Sequence, residues 1–258
     1  MPTAAGLYYF AHGVENASRP PVLLIHGAGG THLHWPPQVR RMEGQRIFAP
    51  DLPGHGKSGG IGRQMISEYA ESVMDFMKAL HLRSAVMVGH SMGSAIALTM
   101  AFEHPERVLG LGLLGSGAKL RVAPVILENV AYQPTFLKAV QMVNEMSYSL
   151  QFPPRLKELA AKRLAETRPA VLHGDFMACD AFDVRELINR VVVPTLVICG
   201  TEDKMTPLKY SEYLCEQIPN AQLCTVPGAG HMVMIEQPSI VVEMLADFLD
   251  SIPYRAGK

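Results

Sequence analysis

Three residues, far apart in the chain, could together carry out acyl transfer: a serine between glycines, an aspartate after an apolar run, and a histidine in a late glycine-rich loop. The serine is Ser91 of Gly89-His90-Ser91-Met92-Gly93. A serine hydroxyl is a weak nucleophile until a base takes its proton, so Ser91 needs a histidine beside it. His231, in Pro227-Gly228-Ala229-Gly230-His231-Met232, is the candidate base. That histidine needs a carboxylate to fix its tautomer and to stabilise its cationic form. Asp203, in Gly200-Thr201-Glu202-Asp203, is assigned to this role, with Glu202 as its competitor. The oxyanion of a tetrahedral intermediate needs two N–H donors. They are assigned to Met92 and to Ala28 of His26-Gly27-Ala28-Gly29-Gly30, with Gly27 as the alternative to Ala28.

The flanking sequence shows how these groups would be held. Ser-Ala-Val-Met-Val at 84–88 reads as a strand and Ser-Ala-Ile-Ala-Leu-Thr-Met-Ala at 94–101 as a helix, so Ser91 falls on a strand-to-helix turn. Such a turn strains the serine backbone, and the small residues at 89 and 93 let strand and helix approach closely enough to permit it. Asp203 follows the strand-like Thr-Leu-Val-Ile-Cys and His231 follows Gln-Leu-Cys-Thr-Val, which places both at the carboxyl edge of a sheet. The order Ser91, Asp203, His231 favours Asp203 over Glu202. His26 and His90 are read as structural.

Short β-rich runs at 22–27, 46–52, 84–90, 108–114, 195–200 and 222–226 alternate with helical patterns, the signature of a parallel sheet. Ile66, Tyr69, Val73, Phe76, Met77 and Leu80 recur at three- and four-residue steps, as a helix packed on a sheet requires. Between 119 and 182 the alternation stops: helix-like stretches follow one another around Pro124, Pro134, Pro153, Pro154 and Pro169. The segment is too long for an ordinary crossover and reads as a helical cap inserted into an α/β core made of 1–118 and 183–258. Met142, Met146, Met177, Leu137, Val140 and Phe152 in the cap, with Met232 and Met234, suggest an adaptable apolar acyl pocket.

With 258 residues, 48% of them hydrophobic and 18% charged, the chain can build one large core. A net charge of −1 gives no general electrostatic reason to bind nucleic acid or an anionic membrane, so a small molecule is the expected partner of a monomer or homodimer. The amino terminus lacks a signal-peptide pattern and no apolar run would span a bilayer, so the chain is read as cytoplasmic. Cys179, Cys199, Cys215 and Cys224 read as free thiols, and no histidine or cysteine spacing suggests a metal site. Two glycine loops imitate nucleotide motifs and fail them. Asp51 stands where a phosphate loop before Gly56-Lys57-Ser58 needs glycine, and His32 where a dinucleotide fingerprint needs its third glycine.

The segments HGAGG, DLPGHGKS, GHSMG, GTEDKMTP and GAGHMVMIEQP, in this order, resemble the motifs of the α/β-hydrolase superfamily. The resemblance covers nearly the whole chain. It implies a mostly parallel sheet of about seven to eight strands, the count depending on whether the short segment before Val22 forms a full hairpin. Ser91 at the elbow separates the chain from epoxide hydrolases and haloalkane dehalogenases, which carry aspartate there. The chain is similar to small carboxylesterases of the pimeloyl-ester esterase and enol-lactonase type, which implies ester hydrolysis through an acyl-enzyme without a cofactor. Carbon–carbon bond hydrolases and hydrolase-like ligand receptors share the same triad.

Overall fold

The computed structural model describes residues 2–13 and 19–254. Eight strands form one sheet: β1 (Thr3–Ala4), β2 (Leu7–His12), β3 (Val22–Ile25), β4 (Ile47–Pro50), β5 (Ala85–His90), β6 (Val108–Leu114), β7 (Thr195–Gly200) and β8 (Ala221–Val226). Their spatial order is β1-β2-β4-β3-β5-β6-β7-β8. The pairings from β4 across to β8 are parallel, while β1 and β2 run antiparallel. The amino-terminal segment therefore completes the larger strand count. Ala5 at φ 47° and Gly6 at φ 78° make a two-residue turn with both φ positive, so even a two-residue β1 can pair back onto β2.

The helices are α1 (Pro37–Arg40), α2 (Ile66–Ala79), α3 (Met92–Glu103), α4 (Pro124–Ala131), α5 (Phe136–Ser147), α6 (Pro154–Ala165), α7 (Pro169–Ala181), α8 (Leu208–Gln217), α9 (Val233–Glu236) and α10 (Pro238–Ser251). Alternate strand residues feed opposite faces of the sheet. Leu23, Ile25, Met87 and Leu111 join the core beneath α2, α3 and α8. Val22, Leu24, Val86 and Val88 join the core beneath α1 and α10. Because both faces are covered, the central strands are apolar throughout, which is why they are visible as unbroken runs in the sequence.

Helices α4 to α7 all lie between β6 and β7. They share a core of their own, in which Ile126, Val130, Phe136, Val140, Leu172 and Phe176 are buried together and Ala28 of the main body packs against them. Lys119 and Asp183 pair across an isolated antiparallel bridge, and the Lys119 ammonium lies 2.7 Å from the Asp183 carboxylate.

Strand order changes direction between β3 and β5: β4 lies on one side of β3 and β5 on the other. The loops leaving the carboxyl ends of β3 and β5 therefore diverge and open a crevice, the usual ligand position in an open α/β sheet. Ala28 lies in the first of these loops and Ser91 in the second.

Candidate active site

Ser91 has φ 54° and ψ −118°, outside the ordinary regions for a residue with a side chain. The turn holds because nothing else could occupy its neighbours' space. A Cβ on Gly93 would stand 2.1 Å from the Ile25 carbonyl oxygen, and one on Gly89 would stand 2.2 Å from that of Gly93. The Ser91 amide donates to the Leu114 carbonyl at 2.9 Å, and the Ser94 hydroxyl donates to the Gly89 carbonyl at 2.7 Å. Met92 is the first residue of α3, so its amide is among those left without an intrahelical acceptor. Positive potential at that helix end favours a developing anion.

Asp203 and His231 are both buried and meet at 2.8 Å through Asp203 Oδ2 and His231 Nδ1. Two backbone amides, those of Met205 and Thr206, donate to Asp203 Oδ1 at 2.8 Å each. The Thr206 hydroxyl donates to Asp203 Oδ2 at 2.8 Å and lies 3.2 Å from His231 Nδ1. Burial pushes the Asp203 carboxyl up, but His231 and these hydrogen bonds outweigh it and hold the group below the usual carboxylate range. Glu202 points elsewhere and accepts from the Leu150 amide at 3.2 Å, so the geometry separates the two competing acids.

Ser91, His231, Gly27 and Ala28 line one cavity of about 300 Å³. Among the described residues Ser91 and His231 are not directly hydrogen-bonded; such contacts often close only around a bound substrate. Of the apolar residues expected around the acyl group, Met146, Phe152 and Met232 line this cavity, joined by Met205. Others do not. Leu137 and Met177 face solvent at 62% and 41% exposure, Val140 is in the core of the inserted helices, and Met234 is in the core beneath α10. Helix α6 has no buried residue, and its half-exposed Leu156 and Leu159 roof the cavity.

The structure adds supporting groups around these residues and gives His90 and His26, read above as structural, their partners. His90 donates from Nε2 to the His231 carbonyl at 3.0 Å, so it anchors the loop of the candidate base. Glu236 accepts from the Gly230 amide at 2.9 Å on the other side of that loop. Thr206 was within reach of inspection, as a hydroxyl residue three positions beyond Asp203. His26 is fixed by its neighbours: Nε2 accepts from the Leu52 amide at 3.0 Å, so Nδ1 carries the proton and donates to the Gly27 carbonyl at 2.8 Å. In the Gly54-His55-Gly56 segment, Asp51 accepts from the Lys57 amide, and its carboxylate fills the space a Gly56 side chain would need. Among the described residues no group of three or more His, Cys, Asp or Glu could hold a metal ion, and no helix is long and apolar enough to cross a membrane.

The buried histidines make a prediction about stability. Burial, reinforced by the charge on His55, holds His26 well below its ordinary value and His34 at about 4. Burial and His231 do the same to His90. All three take up protons on unfolding as pH falls below about 6.5, so stability present above that value is lost towards pH 4. With three protons gained, the slope reaches about 4 kcal/mol per pH unit. His55 acts in the opposite sense. Burial pushes it down, but the Asp175 carboxylate prevails and raises it, so its stabilisation is full below about 6.5 and is lost as pH rises through the raised value. Urea unfolding midpoints measured from pH 4.5 to 8.5 should therefore peak near neutrality. A midpoint unchanged between pH 6.5 and 5 would contradict the neutral buried histidines.

Residues 20–238 match the family model described as alpha/beta hydrolase fold. The chain is 30% identical to a 2-hydroxymuconate semialdehyde hydrolase of Pseudomonas putida, covering 89% of this chain and 86% of that one. It is 28% identical to 3-oxoadipate enol-lactonase 1 of Acinetobacter baylyi, over 93% and 92% of the two chains. Among solved structures, a thermophilic esterase superposes with a TM-score of 0.80 at 34% identity, covering 95% of this chain and 98% of that one. With a matching family model over most of its length and relatives aligned nearly end to end, this chain belongs to the alpha/beta hydrolase fold family and is a hydrolase.

Proposed function

We propose that the protein is a serine esterase that cleaves carboxylic esters of small to medium acyl chains through an acyl-enzyme on Ser91. The observation that carries this reading is the buried Asp203–His231 pair, 2.8 Å apart, opening on the same cavity as a serine held at φ 54°. His231 takes the Ser91 proton as the hydroxyl attacks the ester carbonyl, returns it to the leaving alcohol, and then activates water against the acyl-enzyme. Asp203 accepts from Nδ1, which leaves Nε2 to take the serine proton, and stabilises the imidazolium that forms. The Ala28 and Met92 amides bind the oxyanion. No cofactor enters this chemistry. Residues 119–182 act as a cap that shapes the acyl pocket.

A cavity of about 300 Å³ is at the small end of ligand pockets. Each methylene buried there contributes up to about 0.8 kcal/mol until the space is filled. Across p-nitrophenyl esters, kcat/KM is expected to rise with acyl length, peak between about two and eight carbons, and then fall. A monotonic rise out to sixteen carbons with activation at a lipid interface would mark a lipase instead. The same panel, extended to carbon–carbon substrates and to lactones, since one relative is named an enol-lactonase, ranks the chemistries directly. Steady turnover of any simple ester separates an enzyme from a ligand receptor that keeps the triad.

A further inference from the structure

The loop that offers the Ala28 amide is gripped by the inserted helices at one residue, Gly29. Its N–H donates to Asp175 Oδ2 of α7 at 2.8 Å, and its carbonyl accepts from the Thr167 hydroxyl at 3.1 Å. A Cβ on Gly29 would meet Leu164 at 2.5 Å and Leu172 at 2.9 Å, so side chains of α6 and α7 close over it. Gly29 has φ 63°, and the Gly30 amide returns to the Gly27 carbonyl at 3.0 Å, so Ala28 and Gly29 are the central residues of a tight turn. A positive φ at the second central position is the mark of a type II turn. Rotating the peptide between the two central residues would convert that turn to type I and turn over the Ala28 carbonyl and the Gly29 N–H, whereas the Ala28 N–H, on the preceding peptide, keeps its direction only while the turn as a whole stays in place. The bond to Asp175 holds the N–H of that peptide.

Asp175 is itself fixed from the main body. It is fully buried; Tyr69 donates to its Oδ1 at 2.5 Å, and His55 Nε2 lies 2.8 Å from its Oδ2. The other His55 nitrogen faces the Pro53 carbonyl at 3.0 Å. Both ring nitrogens face oxygen atoms, so a doubly protonated ring satisfies both contacts, and Asp175 beside it raises His55 above its ordinary value. An ionised acceptor makes the stronger bond to the Gly29 amide.

We infer that Asp175 is a positioning residue for the oxyanion site: it sets the Gly27–Gly30 turn so that the Ala28 amide faces the reacting carbonyl, and so makes catalysis depend on how the inserted helices are docked. This rests on the esterase reading above. The roles differ from those of Ser91 and His231, because Asp175 touches no reacting atom and should affect the transition state more than substrate binding.

The test compares Asp175→Leu, Asp175→Asn, Thr167→Val and Tyr69→Phe with the wild-type protein, using p-nitrophenyl acetate and a trifluoromethyl ketone whose hemiketal adduct with Ser91 places an oxyanion in the site. Fluorophosphonate labelling of wild type at Ser91 is measured alongside. Asp175→Leu is expected to lower kcat about 100-fold with KM within about threefold, and to weaken ketone inhibition in parallel. Asp175→Asn, which can still turn an oxygen to the Gly29 amide, should restore most of that loss. Tyr69→Phe leaves the Gly29 bond in place and should keep kcat within about threefold while lowering Tm. If Asp175→Leu does not fold, Thr167→Val carries the test, with kcat expected to fall about 3- to 10-fold at unchanged KM. Wild-type kcat and ketone affinity in Asp175→Leu, or in Thr167→Val where it stands in, would overturn the inference, as would a loss confined to KM. Absence of Ser91 labelling in the wild type would instead overturn the esterase reading.

Discussion

Replacing Ser91 by alanine, His231 by alanine, or both together is expected to lower kcat by about the same factor, roughly a thousandfold or more. The losses do not add, because each group is useless without the other: the serine cannot be deprotonated without the ring, and the ring has nothing to deprotonate without the serine. Alanine at 91 keeps the Cβ and with it the strained φ of 54°, so the elbow should survive the change. Circular dichroism and thermal unfolding check this. Single-turnover and steady-state rates on one short ester then read the chemistry. Retention of even a tenth of the wild-type rate by Ser91→Ala would move the nucleophile elsewhere.

Asp203→Asn should cut kcat by about 10³- to 10⁴-fold with the fold intact, whereas Glu202→Gln should stay within about threefold. The reason is in the donors that converge on Asp203. Two backbone amides hold Oδ1, so an asparagine oxygen belongs there and its NH2 group falls opposite His231 Nδ1. That group can only donate, which forces the proton of the ring onto Nε2, the nitrogen that must accept from serine. The Glu202 carboxylate accepts from the Leu150 amide, away from the ring. Rates for both variants across the acyl series would decide it. The reverse ranking would make Glu202 the acid.

The parts of the molecule that could be read from sequence are those set by local chemistry. The parallel strands are doubly buried and so appear as apolar runs, as at Val22–Ile25 and Ala85–His90. Ser91 and Asp203 come just after such runs and His231 after the half-exposed edge strand β8, which is why their common edge could be seen without coordinates. What could not be read depends on distant pairings. Gly29 meets Asp175 across 146 residues and His55 meets it across 120, and nothing near either end announces the partner. The apolar pocket was only half legible for a related reason. Helix α7 buries Val171, Leu172, Phe176 and Cys179 yet turns Met177 outward, and composition alone does not say which way such a helix is rotated.

The two ends of the inserted segment meet. Lys119 leaves the sheet edge and Asp183 returns to it, bridged through backbone and through an ion pair at 2.7 Å, with Arg185 also closing on Asp183 at 2.7 Å. Everything between is, in polymer terms, a closed loop whose length enters the free energy only logarithmically. The register of β6 on β7, which begins at Leu111 opposite Thr195, is set by pairs within the sheet itself. The segment between Lys119 and Asp183 is thus lightly constrained in length but not in its contacts, because Gly29 on the body is held from Asp175 and Thr167 within it.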